Sequence, residues 1–119
     1  AVDLLGEQIE FILHCVSEYP TSETDINLKT ILYLKEKFPN YKMGFSDHTL
    51  STDVPVYAII LGAELIEKHF SFDRDAFGPD HKASLLPNEF KEMAELCEKA
   101  ELNGESFEQE KEHWKKFRV

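Results

Sequence analysis

Two short apolar runs, Met43-Gly44-Phe45-Ser46-Asp47-His48-Thr49 and Leu65-Ile66-Glu67-Lys68-His69-Phe70, each carry a histidine at the polar end. A helix-forming stretch from Asp53 to Ala63 separates them. Strand, helix, strand at this length is the pattern of a parallel βαβ unit, because parallel strands need a crossover connection. In parallel α/β architectures the functional groups gather at the carboxyl ends of the strands. The pattern therefore predicts that His48 and His69, 21 positions apart, are neighbours in space and the centre of any chemistry. A tight polar loop, Gly78-Pro79-Asp80-His81, follows closely.

The remaining segments repeat the rhythm. Residues 1–10 read as the end of a helix, with Val2, Leu5 and Ile9 at helical spacing and Gly6 weakening it. Phe11 to Ser17 reads as a buried strand, apolar without clean alternation, as parallel strands covered on both faces are. A polar loop from Glu18 to Asp25 leads to a helix over Asn27–Phe38, capped by Thr24 or Asp25 and ended by Pro39-Asn40. The second strand is expected at Lys42–Ser46, then a helix opened by Pro55 and closed by Gly62, then a strand at Glu64–Phe70. Pro87 to Asn103 forms a further helix with Phe90, Met93, Ala94 and Cys97 on one face. A last one begins at Ser106, where Ser106 and Gln109 fit a capping box, and carries Trp114 and Phe117 among many charges. Alternation of strand and helix three times over predicts an α/β fold with a parallel sheet. Three parallel strands leave both sheet edges open to pairing, so a partner or further chain is expected there.

With 119 residues the chain is one domain at most. Its net charge of −10 supplies no basic face for nucleic acid and disfavours an anionic membrane surface; it favours solubility. Cys15 and Cys97 form no CxxC, so a reducing compartment is expected rather than a disulfide framework. No run has the length of a membrane span, and the N-terminus lacks a signal-peptide pattern. The absence of an initiating Met suggests a chain processed or cut from something longer.

The runs Leu13-His14-Cys15-Val16-Ser17-Glu18-Tyr19-Pro20, Gly44-Phe45-Ser46-Asp47-His48-Thr49, Leu61-Gly62-Ala63, Ile66-Glu67-Lys68-His69-Phe70 and Gly78-Pro79-Asp80-His81, in this order and spacing, resemble the sialic acid synthase family. That family comprises the N-acetylneuraminate synthases and their legionaminate, pseudaminate and spore-coat polysaccharide relatives. The resemblance implies a (β/α)8 TIM barrel, of which this chain looks like strands six to eight with their helices. It implies condensation of phosphoenolpyruvate with an open-chain N-acetylated amino sugar of the N-acetylmannosamine type. The product is a nine-carbon 2-keto acid, and phosphate is released. It also implies a cytoplasmic dimer in which a small antifreeze-like domain completes the partner's site. Strands one to five, with the family's phosphate-binding lysines and catalytic glutamate, lie outside this sequence, as does the antifreeze-like domain. The tail from about Glu101 does not look like the usual continuation. An alternative is therefore a truncated, non-catalytic relative that serves as an assembly module, as a homo-oligomer or with a complementing partner chain. A third, weaker reading is another metal aldolase on a barrel, which leaves the Gly-Pro-Asp-His loop unexplained.

By the same resemblance His48 and His69 bind a divalent metal, Mn²⁺ or Mg²⁺; imidazole suits Mn²⁺ better. The bland alternative for each is a histidine capping a strand end. Ser46 and Ser17 match positions that hydrogen-bond phosphoenolpyruvate, although relatives often carry Asn where Ser17 stands; loop polarity is the alternative. Tyr19 and Asp80 match positions near the sugar, and Asp80 is also the candidate catalytic carboxylate, against an ordinary turn residue. Asp47 either orients an imidazole or caps the following helix, and a structural role is favoured. His14 is expected inside the barrel. Glu67 and Lys68 are read as an ion pair within the barrel or as solvated, layer-filling residues. His81 is assigned no chemistry, and His113 is expected to face solvent.

Overall fold

The computed structural model describes residues 1–102 of the chain. The expected helix from Ser106, with His113, Trp114 and Phe117, lies outside the described residues. A three-stranded parallel sheet carries the fold: β1 (Phe11–Cys15), β2 (Lys42–Asp47) and β3 (Leu65–Lys68), in the order β1-β2-β3. A short α1 (Val2–Leu5) runs into a 3-10 turn at Gly6–Gln8. Gly6 has φ 46, a left-handed conformation that ends α1 sooner than the Val2, Leu5, Ile9 spacing suggests. The crossovers are α2 (Lys29–Lys37) and α3 (Val54–Ile60), and α4 (Pro87–Leu102) follows β3.

Alternation along the central strand separates two faces. Met43 and Phe45 point to one side and are 1% exposed, packed among Ile26, Leu28, Ile31, Val54, Ala58, Leu61 and Ala63. Burying one such side chain stabilises by about 1.5–3 kcal/mol, so this layer between sheet and helices is the main core. Gly44 points to the opposite face. A Cβ there would lie 3.0 Å from Leu13 Cγ and 3.0 Å from the Leu65 carbonyl, so only glycine lets the three strands close at this level. A second small core joins α3 to α4 through Val56, Ile60 and Ala100, with Leu96 and Cys97 beside it. Met93 is buried as expected, but Ala94 is exposed; the packed stripe runs through Leu96 and Ala100 instead.

Three local expectations are corrected. Neither Thr24 nor Asp25 caps α2, whose first residue follows Leu28 with no side-chain cap; Ser22 instead accepts the Thr24 N–H and opens a 3-10 turn, Glu23–Asp25. Asp47 does not cap α3: Ser51 Oγ does, accepting the N–H groups of Asp53 and Val54 at 2.9 and 3.1 Å. His14 does not face the side expected to become a barrel interior. It pairs in register with Phe45, stacks on it, and its Nε2–H donates to the Ile26 carbonyl at 2.6 Å. Among the described residues, the outer edges of β1 and β3 have no strand partner beyond an isolated parallel bridge, Phe70–Leu85. No helix among the described residues is long and apolar enough to cross a membrane.

Candidate functional site

Register places the two histidines. Asp47 of β2 and Lys68 of β3 are opposed in the parallel ladder, and each immediately precedes a histidine. Their side chains meet on the helix-covered face, Lys68 Nζ 2.5 Å from Asp47 Oδ2, with both side chains wholly buried. Lys68 also donates to the Thr49 carbonyl at 2.7 Å, and Asp47 Oδ1 accepts the Thr49 N–H at 2.9 Å. Burial pulls the Lys68 ammonium below its ordinary pKa, while the facing Asp47 carboxylate works against that shift. The next residues, His48 and His69, are turned to the other face side by side. Their ring centroids are 5.3 Å apart, with planes inclined at 50°.

His48 is 5% exposed. Its Nδ1 lies 2.8 Å from the Val16 carbonyl, which can only accept, so Nδ1 carries a proton and the neutral imidazole has its lone pair on Nε2. Cys15 Sγ sits 3.8 Å from the same Nδ1. The ring of His69, partly buried, has no hydrogen-bond partner among the described residues. Tyr19, 52% exposed, leans over both rings, with centroids 4.1 Å from His48 and 5.9 Å from His69. The loop that carries it is tied down by Thr21, whose N–H donates to the His48 carbonyl at 2.9 Å and whose hydroxyl donates to the Glu18 carbonyl at 2.6 Å.

Ser46 lies one row below His48 on the same face, and its hydroxyl donates to Glu67 Oε1 at 2.7 Å. Glu67 and Lys68 thus point to opposite faces and bond to different partners; the ion pair sits behind the histidines and joins Lys68 to Asp47. Ser17 is exposed, and its hydroxyl has no partner among the described residues. Asp80 is exposed and opens the 3-10 turn His81–Ala83; its carbonyl accepts from Ser84 Oγ at 2.6 Å, while its carboxylate is unengaged. The structure therefore gathers Tyr19, His48 and His69 into one cluster with Ser46 beneath it. Neither Ser17 nor the Asp80 carboxylate forms a hydrogen bond or ion pair with that cluster.

The loop between β3 and α4 is held by its own bonds. Ser71 Oγ donates to the Asp73 carbonyl at 2.9 Å, so the His81 Nδ1–H donates to Ser71 Oγ at 2.6 Å. Arg74 Nε donates to the Ser84 carbonyl at 3.1 Å, and the Arg74 guanidinium pairs with Glu89. That bond, with the Leu86 N–H, holds the Glu89 carboxyl below the usual range. His81 is thus a loop fastener.

Two imidazoles on one ion, with bonds of about 2.1 Å, have centroids about 5 Å apart. The observed spacing, and the Nε2 lone pair fixed on His48, fit a shared divalent cation. Among the described residues no third His, Cys, Asp or Glu completes a ready-made metal cluster. Such an ion would keep most of its positions for water or ligand oxygen, as Mn²⁺ and Mg²⁺ do.

Comparison with known proteins agrees with the resemblance read from the motifs. The chain is 46% identical to N,N'-diacetyllegionaminic acid synthase of Legionella pneumophila over 90 residues, covering 76% of this chain and 25% of that protein. It is 40% identical to N-acetylneuraminate-9-phosphate synthase of Drosophila melanogaster over 88 residues, covering 74% of this chain and 24% of the relative. The crystal structure of spore coat polysaccharide biosynthesis protein SpsE from Bacillus subtilis superposes with a TM-score of 0.73 at 40% identity, over 84% of this chain and 27% of that one. The chain spans about a quarter of the length of the curated relatives it matches. Its three parallel strands with their helices are accordingly a part of the barrel seen in sialic acid synthase structures. A family model described as NeuB matches residues 1–108, and the chain belongs to the NeuB family.

Proposed function

We propose that this chain is the cation- and acceptor-binding sector of a sugar acid synthase. The complete barrel condenses phosphoenolpyruvate with an N-acetylated amino sugar of the N-acetylmannosamine type, joining the enol carbon to the aldehyde carbon, consuming one water and releasing phosphate. Its place of work is the cytoplasm, and its partner is the remainder of the barrel, from the same chain, a second copy or a complementing chain. The observation that carries this reading is the Tyr19, His48, His69 cluster on the carboxyl rim of β2 and β3. Family membership supports the sugar acid class.

His48 through Nε2, and His69, would hold a divalent ion, Mn²⁺ or Mg²⁺. Bound there, it would supply Lewis-acid polarisation of the acceptor's aldehyde carbonyl. The Val16 carbonyl fixes the His48 tautomer and ring direction, the support that metal-binding imidazoles commonly have. Tyr19 walls one side of the pair and keeps bulk water from that flank. Asp80, with its carboxylate unengaged, accepts hydrogen bonds from sugar hydroxyls and is the candidate catalytic carboxylate of this sector. Ser17 and Ser46 are the hydroxyls offered to phosphoenolpyruvate.

The test is phosphate release from phosphoenolpyruvate and N-acetylmannosamine by the complete barrel, with His48→Ala and His69→Ala introduced separately. Loss of turnover by at least a hundredfold in both is expected, and full activity in both refutes the assignment. The edges of β1 and β3, open among the described residues, favour a second reading, a non-catalytic assembly module. That reading gains if the chain forms a defined oligomer with no cation-dependent turnover in any assembly.

A further inference from the structure

Parity along β2 and β3 sends Asp47 and Lys68 to the helix side and the residues around them to the site side. Glu67 is therefore on the same face as His69, two residues earlier, and opposite Ser46 in register. Lys68, the adjacent cation, is consumed on the other face by Asp47 and Thr49. No cationic side chain among the described residues pairs with Glu67; its one hydrogen bond comes from Ser46. The row Cys15, Ser46, Glu67 thus forms a floor beneath the imidazole pair. On that floor Glu67 is the one carboxylate, and it is exposed. Ser46 spends its proton on Glu67, so giving that proton to phosphoenolpyruvate requires the Ser46–Glu67 bond to open.

We infer that Glu67 is a positioning and specificity residue that orders ligand binding: its charge favours a divalent cation at His48 and His69 and opposes an anionic substrate until that cation is in place. This rests on the synthase reading above. Two residues of strand rise put a ligand at the imidazole level about 7 Å from the Glu67 level. At that distance one unit charge changes the binding constant of a singly charged ligand about threefold in water-like surroundings and about fiftyfold at an effective dielectric near 20, and that of a divalent ion by the square of each factor. The sign is opposite for cation and anion, and that opposition separates a charge effect from mere loss of structure.

The experiment measures Mn²⁺ binding by electron paramagnetic resonance and phosphoenolpyruvate binding by calorimetry, without turnover, on the complete barrel and its Glu67→Gln and Glu67→Asp variants. Gln retains an oxygen for the Ser46 hydroxyl and removes only the charge. Expected for Glu67→Gln is at least threefold weaker Mn²⁺ binding together with at least threefold tighter phosphoenolpyruvate binding. Glu67→Asp is expected to keep both near the parent. Unchanged constants in Glu67→Gln, or shifts of both in the same direction, overturn the inference and leave the synthase reading standing. A parent protein that binds neither Mn²⁺ nor phosphoenolpyruvate overturns both.

Discussion

Replacing Lys68 by Met should destabilise the protein far more than a surface charge change would. The Lys68 ammonium and the Asp47 carboxylate meet with no side-chain exposure, 2.5 Å apart. Met retains most of the aliphatic stem but leaves Asp47 Oδ2 and the Thr49 carbonyl short of a donor. Removing one member of a buried pair costs about 3–5 kcal/mol, because the other charge stays desolvated. Typical domains have only about 5–15 kcal/mol of stability in total, so the loss should be plain in urea denaturation followed by circular dichroism. Taking both charges away, as Asp47→Asn with Lys68→Met, restores neutrality and keeps an acceptor for the Thr49 N–H. The double variant should then recover about 2 kcal/mol relative to the sum of the single changes. The same pair holds the register that sets His48 beside His69, so the single variant should also lose cation affinity. A Lys68→Met protein within about 1 kcal/mol of the parent would refute the claim that this pair is desolvated and structural.

Two further outcomes follow from the packing. Gly44→Ala should cost about 1–3 kcal/mol in the same denaturation assay, since the added methyl meets both Leu13 and the Leu65 carbonyl at 3.0 Å. An unchanged midpoint would show that the strands can separate freely there. Cys15 is exposed, whereas burial pushes the Cys97 thiol up to about 11 from an ordinary 9.0. At pH 8 about one Cys97 in a thousand is a thiolate, so alkylation with iodoacetamide should label Cys15 first and Cys97 much more slowly. Because the Cys97 thiol is raised in the folded state, its contribution to stability is complete below pH 9 and is lost as pH rises through about 11. Equal labelling rates in the folded protein would contradict the buried environment.

The strands and crossovers were legible because β2, α3 and β3 keep their periods and their punctuation by Pro55 and Gly62. Convergence of the histidines was legible for the same reason, since a parallel crossover returns each strand end to the same rim. Which side of the sheet each residue faces was harder to read. In β1 the apolar run Phe11-Ile12-Leu13 is partly buried at every residue and shows no alternation, so nothing in the sequence sets the side that His14 faces. Its register with Phe45 was the missing signal, and register is a property of the folded pair. Glu67 and Lys68 look like consecutive polar residues of a wet strand. Only parity counted against Asp47 reveals that one faces the site and the other is buried against Asp47 and Thr49. Helix starts are hard to read because Thr24, Asp25 and Asp47 all have capping chemistry, yet α2 begins with no side-chain cap, Ser22 serves the preceding 3-10 turn and Ser51 serves α3.

The most direct test of the imidazole pair is pulsed electron paramagnetic resonance of Mn²⁺ added to the protein. Nitrogen couplings from two imidazoles are expected in the parent, one coupling in His48→Ala or His69→Ala, and none in the double variant. A Mn²⁺ spectrum free of nitrogen coupling in the parent, identical to that of the hydrated ion, would contradict the account.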